Sequence, residues 1–186
     1  MKHLKLNEVS SVVDFSSPIE HGDISISSPA AWFFTDFEKV EPSTIPSSTS
    51  ADMARLLMLK SHTSLKLVVD SDSKFTGVVT LDEVSDQRIT AELSKAVKRE
   101  SITVLDLMVP KASIKGFEFS EIENADIKSV IHYLKNNGQK HCLVIDKETN
   151  KIRGIFSVSA IAKKLGIPIN VNDELSFYRV FSALAS

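Results

Sequence analysis

The segment GVVTLDEV, residues 77–84, combines a glycine, a hydroxyl and a carboxylate where an apolar run ends. Gly77 is followed by Thr80 at the third position after it and by Glu83 at the sixth. Hydroxyls and helix N-termini suit phosphate, and a carboxylate can accept two hydroxyl protons, so the segment could hold a ligand. Thr80 and Glu83 also form a capping box, which by itself would explain both residues. The glycine indicates close approach of another group, because glycine otherwise weakens a strand.

A second segment, GIFSVSAI, repeats this spacing without the acid. Gly154 is followed by Ser157, whereas Ala160 stands where the carboxylate would be. Arg153 and the lysines at 163–164 add positive charge, which favours an anion near this helix start. The same lysines suit a solvated helix end, where they interact favourably with the helix dipole.

The composition excludes several classes of function. Lys and Arg total 22 against 24 for Asp and Glu, so the formal charge of -2 gives no general attraction to nucleic acid or anionic lipid. Cys142 is the only cysteine and cannot form an intrachain disulfide. The histidines are too scattered to predict a metal site. With no apolar window of membrane-spanning length and no leader pattern, we expect a cytoplasmic protein without nucleic-acid or membrane partners.

An internal repeat organises most of the chain. Ser50–Leu57 aligns with Asn124–Ile131 at an offset of 74 positions, which places Met53, Leu56 and Leu57 on three apolar residues of the second copy. Their spacing predicts an amphipathic helix in both copies, with these residues on the apolar face.

Two strand segments follow each of these helices. Leu65–Asp70 aligns with Lys140–Asp146 at an offset of 76, and Gly77 aligns with Gly154 at an offset of 77. The growing offset predicts two extra residues in the turn at Asn136–Gly138 and one more in the following hairpin.

Short segments precede each helix. Trp32–Phe34 and Asp106–Met108 are predicted as brief helices, the second with a capping box formed by Thr103 and Asp106. With an extended piece, a helix, two strands and a second helix, each copy is a βαββα unit of an α/β protein. The predicted extended pieces are Thr44–Pro46 and Glu118–Ser120.

These patterns divide the chain into five parts. A Ser-rich arm carries one short strand at Asp23–Ser27 and ends at Ser28, a candidate helix cap. A charged linker helix joins the repeats, and the tail forms a helix with Phe177 and Phe181 on one face. The predicted parts are the arm 1–28, the first repeat 29–88, the linker 89–101, the second repeat 102–166 and the tail 167–186.

The two βαββα copies, each with a glycine, two apolar residues and a hydroxyl before a helix, resemble a tandem pair of cystathionine beta-synthase (CBS) domains. Such a pair is also called a Bateman module, and the likeness is to the stand-alone bacterial type. It extends from Pro29 to about Gly166 and leaves no room for a catalytic domain. The resemblance implies a pseudo-two-fold CBS pair that often dimerises and that binds adenosine nucleotides in clefts between the repeats.

The resemblance also implies roles for individual residues. In the family, the glycine lets the backbone approach the ligand, the hydroxyl contacts phosphate, and an aspartate bonds the ribose. The first copy matches with Gly77, Thr80 and Glu83, an acid one methylene longer than the usual Asp. The second copy matches with Gly154 and Ser157 but has no acid.

The first cleft is therefore the expected nucleoside site. Ile45 and Val78 would flank the base, because nucleotide pockets are mostly apolar with a few placed polar groups. Asp82 and Asp86 would oppose added phosphate. The second cleft, with Arg153, would accept a bare anion or stay empty.

The sequence thus favours a non-enzymatic sensor that binds a nucleotide of the AMP, ADP or ATP class, with no metal or other cofactor, and signals to an effector protein of unknown identity. The alternative is an interaction or dimerisation module of the same fold with degenerate pockets. A free-standing enzyme has little support, because nothing marks two carboxylates as an acid/base pair. We expect a homodimer, because Trp32–Phe34 and the Phe177/Phe181 face are apolar surfaces that a small monomer would rarely expose.

Overall fold

The computed structural model describes residues 24–93 and 98–167, which form eight strands and six α-helices. The strands are β1 (Thr35–Asp36), β2 (Thr44–Pro46), β3 (Leu65–Val69), β4 (Phe75–Thr80), β5 (Val109–Pro110), β6 (Gly116–Glu118), β7 (His141–Asp146) and β8 (Lys151–Ser157). The helices are α1 (Ala51–Lys60), α2 (Asp86–Leu93), α3 (Val104–Leu107), α4 (Phe119–Asn124), α5 (Ile127–Asn136) and α6 (Val158–Lys164). Short 3-10 helices cover Ala30–Trp32, Arg99–Ser101 and Lys111–Ser113. None of the helices in these two ranges is both long enough and apolar enough to cross a bilayer.

The strands form two four-stranded sheets with equivalent topology. One sheet has the order β2-β3-β4-β5 and the other the order β6-β7-β8-β1. In each, the first pair is parallel and the other two pairs are antiparallel. The α/β fold of two βαββα repeats is therefore confirmed. Each sheet also contains one short strand from the other repeat, since β1 joins the second sheet and β5 the first.

The two repeated glycines lie where these exchanged strands pack. Gly77 is paired with Pro110 of β5, and Gly154 is paired with Asp36 of β1. A Cβ atom on Gly77 would lie 2.4 Å from the carbonyl oxygen of Val109. On Gly154 it would lie 2.2 Å from the carbonyl oxygen of Thr35. The close approach predicted at both glycines is therefore an approach of backbone from the other repeat.

Two hydrophobic cores lie against the two sheets, and each contains a segment from the other repeat. Phe33 and Phe34 are buried in the second core, with Trp32 packed against it. Val104 and Leu107 of α3 are buried in the first core. The expectation that Trp32–Phe34 leaves an exposed apolar surface is therefore wrong, because the segment packs inside the neighbouring repeat. The domain boundaries drawn from the repeat stay a prediction.

The helices α1 and α5 are equivalent, but at an offset of 76 and not the predicted 74. Ser50 caps α1 by accepting from the Met53 amide, and Asp126 caps α5 by accepting from the Ser129 amide. The buried face of α1 consists of Ala51, Ala54 and Met58, whereas α5 buries Ile127, Val130, Ile131 and Leu134. The predicted core residues Met53, Leu56 and Leu57 are exposed. The error arose because α1 is apolar around most of its circumference, so its pattern does not identify the core face.

Because the helices correspond at an offset of 76, the extra residues of the second repeat lie at a different place from the predicted one. The additional residues lie between β6 and α5, where they form α4, and not in the turn at Asn136–Gly138. The predicted extended piece Glu118–Ser120 is consequently misplaced, since β6 ends at Glu118 and Phe119 begins α4. The single extra residue in the β7–β8 hairpin is confirmed, because Ser73 and Asn150 have equivalent positive φ angles and lie 77 positions apart.

Other local predictions have mixed outcomes. The Thr103–Asp106 capping box is confirmed. Ser28 does not cap the Ala30–Trp32 helix, because its hydroxyl accepts from the Ser25 amide. No strand covers the described part of Asp23–Ser27, which forms a turn.

The linker helix is described only as far as Leu93, and its Ile89 is buried in the first core. The tail helix and most of the arm lie outside the described residues.

Candidate functional site

A cleft of about 680 Å³ lies between the two repeats and receives side chains from both. One wall comes from the start of β3 and the end of β4, and the other from the start of β7, β8 and the beginning of α6. The segment between β5 and β6 closes one side. The lining residues are Ser64, Leu65, Val78, Thr80–Glu83, Val109, Ser113–Lys115, Gly138–Leu143, Ile155, Val158 and Ser159.

Two polar contacts join the repeats across this cleft. Ser64 Oγ lies 3.2 Å from His141 Nε2, and these residues stand 77 positions apart, just before β3 and at the start of β7. Lys140 Nζ lies 3.0 Å from the Asp82 carboxylate. Several lining residues are equivalent in the two repeats, such as Val78 with Ile155 and Leu65 with His141, so the cleft lies across the pseudo-two-fold axis. Any ligand that fills it would touch both repeats.

Thr80 and Glu83 are bonded to each other at the edge of the cleft. The Glu83 carboxylate accepts from the Thr80 backbone amide at 2.8 Å and from the Thr80 hydroxyl. The Val84 amide donates to the Thr80 carbonyl, so these residues form a turn, and α2 begins only at Asp86. One half of the predicted capping box, the bond from the Thr80 amide to the Glu83 carboxylate, is thus present, but it closes a turn before the helix. Glu83 remains a lining residue of the cleft, with one oxygen used by Thr80.

The charges within the cleft are balanced. Asp82 and Glu83 carry negative charge there, while Lys115 and Lys140 carry positive charge. Asp86 does not line the cleft, because its carboxylate is bonded to Arg99 at 2.9 Å and Arg55 at 3.3 Å. The predicted repulsion of phosphate by Asp86 is therefore wrong, and the one by Asp82 is offset by the Lys140 ion pair.

Arg153, predicted to bind an anion, is instead held by acidic residues of the other repeat. Its guanidinium donates to both oxygens of Asp36, at 2.8 and 3.1 Å, and lies 2.9 Å from Glu38. It also stacks on the Phe119 ring at 4.3 Å. The hydrogen bonds from Arg153 lower the pKa of Asp36 to about 2. The Arg153 side chain therefore stabilises the pairing of β1 with β8 and does not line the cleft.

Three of the eight predicted site residues line the cleft, namely Val78, Thr80 and Glu83. Ile45 is buried in the first core and cannot flank a base in this cleft. Ser157 caps α6 by accepting from the Ala160 amide. Gly77 and Gly154 pack under the exchanged strands. Whether the lining residues contact a ligand stays a prediction.

The sequence analysis missed the residues at the start of β7. Burial disfavours the charged imidazolium and lowers the pKa of His141 to about 4, with a further contribution from Lys140 and opposing ones from Glu83 and Asp82. Burial also raises the pKa of the Cys142 thiol to about 11, so the thiol stays protonated and unreactive. The available signal was position, because His141 and the lining residue Leu65 occupy equivalent places at the start of β7 and β3.

Comparison with known proteins identifies a domain in the first half of the chain. A model of the CBS domain family matches residues 36–88. This part of the chain is therefore a CBS domain. A comparison with curated proteins gives no match. The fold of two CBS repeats is shared with solved structures.

Three of these structures illustrate the similarity. A CBS domain protein of unknown function from Thermoplasma acidophilum is 18% identical, with a TM-score of 0.52 and coverage of 82% of this chain and 78% of that one. CBSX2 of Arabidopsis thaliana, in complex with AMP, is 19% identical, with a TM-score of 0.52 and coverage of 73% and 93%. CbpB, in complex with c-di-AMP, is 15% identical, with a TM-score of 0.51 and coverage of 85% and 91%. At these identities the similarity establishes the fold of the CBS pair.

Proposed function

We propose that this CBS pair is a non-enzymatic regulatory module that binds an adenosine nucleotide of the AMP, ADP or ATP class in the cleft between its repeats. The observation that carries the proposal is the cleft itself, which combines an apolar wall with a few placed polar groups. Its volume falls within the usual range of small-molecule sites, roughly 300 to 1,000 Å³. AMP and c-di-AMP in the complexes of CBSX2 and CbpB support the choice of ligand class.

The polar groups of the cleft suit the two ends of a nucleotide. Glu83 offers a carboxylate for ribose hydroxyls, while Lys115 and Lys140 offer positive charge for a phosphate. Val78, Leu65 and Ile155 provide apolar surface for the base. Because acids and bases balance, we propose one phosphate as the best fit and expect added phosphates to weaken binding.

Binding would regulate by changing how the repeats are held together. A ligand in the cleft would compete for the Lys140–Asp82 and Ser64–His141 contacts and would favour the arrangement of repeats that accommodates it. Only this differential affinity can shift a conformational equilibrium. An effector protein that senses the arrangement would complete the signal.

Titration calorimetry with AMP, ATP and S-adenosylmethionine tests the proposal, with Glu83→Gln as the informative variant. Losing the ribose-carboxylate hydrogen bond should weaken AMP binding about ten-fold, the equivalent of roughly 1.5 kcal/mol. Glu148→Gln, an exposed acid in the β7–β8 turn, is the matched control and should bind as wild type does. If none of the three ligands binds at millimolar concentration, the nucleotide proposal fails.

A second candidate function is a protein-interaction module of the same fold without a nucleotide ligand. The observation that favours it is that the Glu83 carboxylate accepts from the Thr80 amide and hydroxyl, which uses both side chains within the chain. In that case Glu83→Gln would lower the melting temperature, because the charge-assisted bond from the Thr80 amide becomes a weaker neutral one, while AMP affinity would not change.

A further inference from the structure

We propose that the outer face of α1, formed by Met53, Leu56, Leu57 and Leu59, is the docking surface for the C-terminal tail of the same chain. These four residues are 43–48% exposed, and they account for four of the seven large exposed hydrophobic residues among those that the structure describes. The opposite face of α1 is already packed on the first core. A helix that is apolar all round is normally covered on all sides.

The equivalent helix of the second repeat does not share this surface. At an offset of 76, the four positions are occupied by Ser129, His132, Tyr133 and Lys135 on α5. Within the described part of the chain, the apolar helix face therefore belongs to the first repeat alone. An occupant that occurs once per chain matches this asymmetry, and the tail is such a segment.

The sequence of the tail complements the outer face of α1. Its apolar residues recur at intervals of three and four, as Phe177, Val180, Phe181 and Leu184. This spacing predicts one apolar stripe along a helix. Met53, Leu56 and Leu57 follow the same intervals on α1. Packing the two stripes together would remove both from water, which is the main favourable contribution to such a contact.

The charges along α1 leave one basic group for the tail. Asp52 is already bonded to Arg99 at 2.6 Å, and Arg55 is paired with α2. Lys60, in the last turn of α1, is exposed and takes part in none of the ion pairs among the described residues. An acidic residue of the occupant can therefore pair with Lys60 without breaking an existing contact.

Glu174 supplies this acid if the tail runs antiparallel to α1. It precedes Phe177 by three positions, and Lys60 follows Leu57 by three. An antiparallel arrangement with Phe177 beside Leu57 consequently brings Glu174 beside Lys60. The opposed helix dipoles would also attract each other at their ends.

The tail is long enough to reach α1 from the second repeat. Ile167, where the described part of the chain ends, packs against the second core after α6. The segment 168–177 spans up to about 33 Å when extended, roughly twice the radius of gyration of about 16 Å expected for a chain of this length. Attachment to the same chain raises the effective concentration of the tail to about the millimolar range, which favours docking within one chain over docking on a second copy.

Limited trypsin digestion of the full chain tests the docking, because Arg179 is the only tryptic site after residue 167. Met53→Glu with Leu56→Glu should speed cleavage there about ten-fold or more, since the rate follows the population of undocked tail. The matched control is Ser129→Glu with His132→Glu, at the equivalent exposed positions of α5, and it should be cleaved at the wild-type rate. Circular dichroism should show both variants folded, because all four side chains are exposed.

A charge exchange tests the orientation. Lys60→Glu should speed cleavage about two- to three-fold, the effect of losing one exposed ion pair and placing two acids side by side. Adding Glu174→Lys should restore the wild-type rate, because the pair is then reversed. Restoration distinguishes a direct contact from a general loosening of α1, which a second substitution in the tail would not repair.

Crosslinking identifies the chain to which the docked tail belongs. Packed helix axes lie about 8–10 Å apart, so a short bismaleimide should join Lys60→Cys to Glu174→Cys within one chain, while Asn136→Cys with Glu174→Cys should stay unlinked. The native Cys142 is buried.

Several outcomes of these experiments would overturn the inference. Crosslinks between two chains would place the tail on a second copy, and equal crosslinking of both cysteine pairs would remove the preference for α1. An α1 variant cleaved as slowly as wild type would show that the tail does not contact this face. None of the surface residues lines the cleft, so the inference does not depend on the proposed function.

Discussion

At the scale of single residues, the Thr80–Glu83 pair and His141 contribute different properties to the same cleft. One oxygen of Glu83 is committed to the Thr80 amide and hydroxyl, which holds the carboxylate at the cleft edge. A carboxylate can accept further hydrogen bonds, so this capping role and a ligand role are compatible. His141, in contrast, is held as a neutral imidazole between Ser64 and the charged groups Lys140, Glu83 and Asp82.

His141 should make the folded state sensitive to mild acid. Its pKa falls from about 6.5 to about 4 on folding, so the unfolded chain binds the additional proton between these values. Stability should therefore fall as the pH drops from 6.5 towards 4, by about 2 kcal/mol from this group. In His141→Gln the decline over this window should be shallower, as measured by urea unfolding at a series of pH values.

The Asp36 carboxylate loses its contribution to stability in a different pH window. Its pKa is lowered from 3.8 to about 2 on folding, so the stability that depends on the charged Asp36 is lost as the pH falls between these values. Parallel profiles for His141→Gln and wild type between pH 6.5 and 4 would contradict the assignment.

At the scale of elements, the exchange of short strands holds the two repeats together. β1 leaves the first repeat to pair with β8, and β5 packs on β4 in the same manner. The exchange requires a residue without a side chain at the centre of β4 and β8, which explains why glycine recurs there. The Asp36–Arg153 pair reinforces one of the two exchanges, with both side chains largely buried.

Gly154→Ala should strongly destabilise the fold. The added methyl would lie 2.2 Å from the Thr35 carbonyl oxygen and 2.5 Å from the Phe34 ring, so β1 would have to move away from β8. We expect a loss of about 2 to 3 kcal/mol, the upper part of the usual range for overpacking. Chemical unfolding measures the change.

The control separates steric crowding from backbone strain. Gly166 has a φ of +68° and no atom within 4 Å of the added methyl, so Gly166→Ala should cost only about 1 kcal/mol. If the two alanine variants lose equal stability, the close packing of β1 does not explain the glycine.

At the scale of the whole molecule, the exchange predicts that the two cores unfold together. Phe33 and Phe34 belong by sequence to the first repeat but are buried in the second core, and Val104 and Leu107 show the reverse. Neither core is complete without a segment from the other repeat. Unfolding of one repeat therefore removes buried apolar groups from its neighbour.

A substitution in one core should consequently be detected by a probe in the other. Met58→Ala empties a buried site in the first core and should cost about 2 to 5 kcal/mol. Trp32, the only tryptophan, packs on the second core. Its fluorescence should report the same lowered midpoint as circular dichroism. Val40→Ala changes a side chain that is 56% exposed and serves as the control. The free energy of unfolding obtained from either signal should change by no more than about 0.5 kcal/mol. A fluorescence midpoint that stays at the wild-type value would show independent repeats.

The sequence alone determined the repeat, the βαββα order of its main elements and the residues Val78, Thr80 and Glu83 at the cleft. These depend on local periodicity and on motifs that lie within about ten residues of each other. It did not determine which face of α1 is buried, because Met53, Leu56 and Leu57 are as apolar as the residues that pack inside. The partners of Gly77, Gly154 and Arg153 come from the other repeat, up to 117 positions away for Arg153 and Asp36. Only the tertiary structure decides such contacts, since a side chain's chemistry is compatible with many partners until the exchanged strands bring one of them within reach.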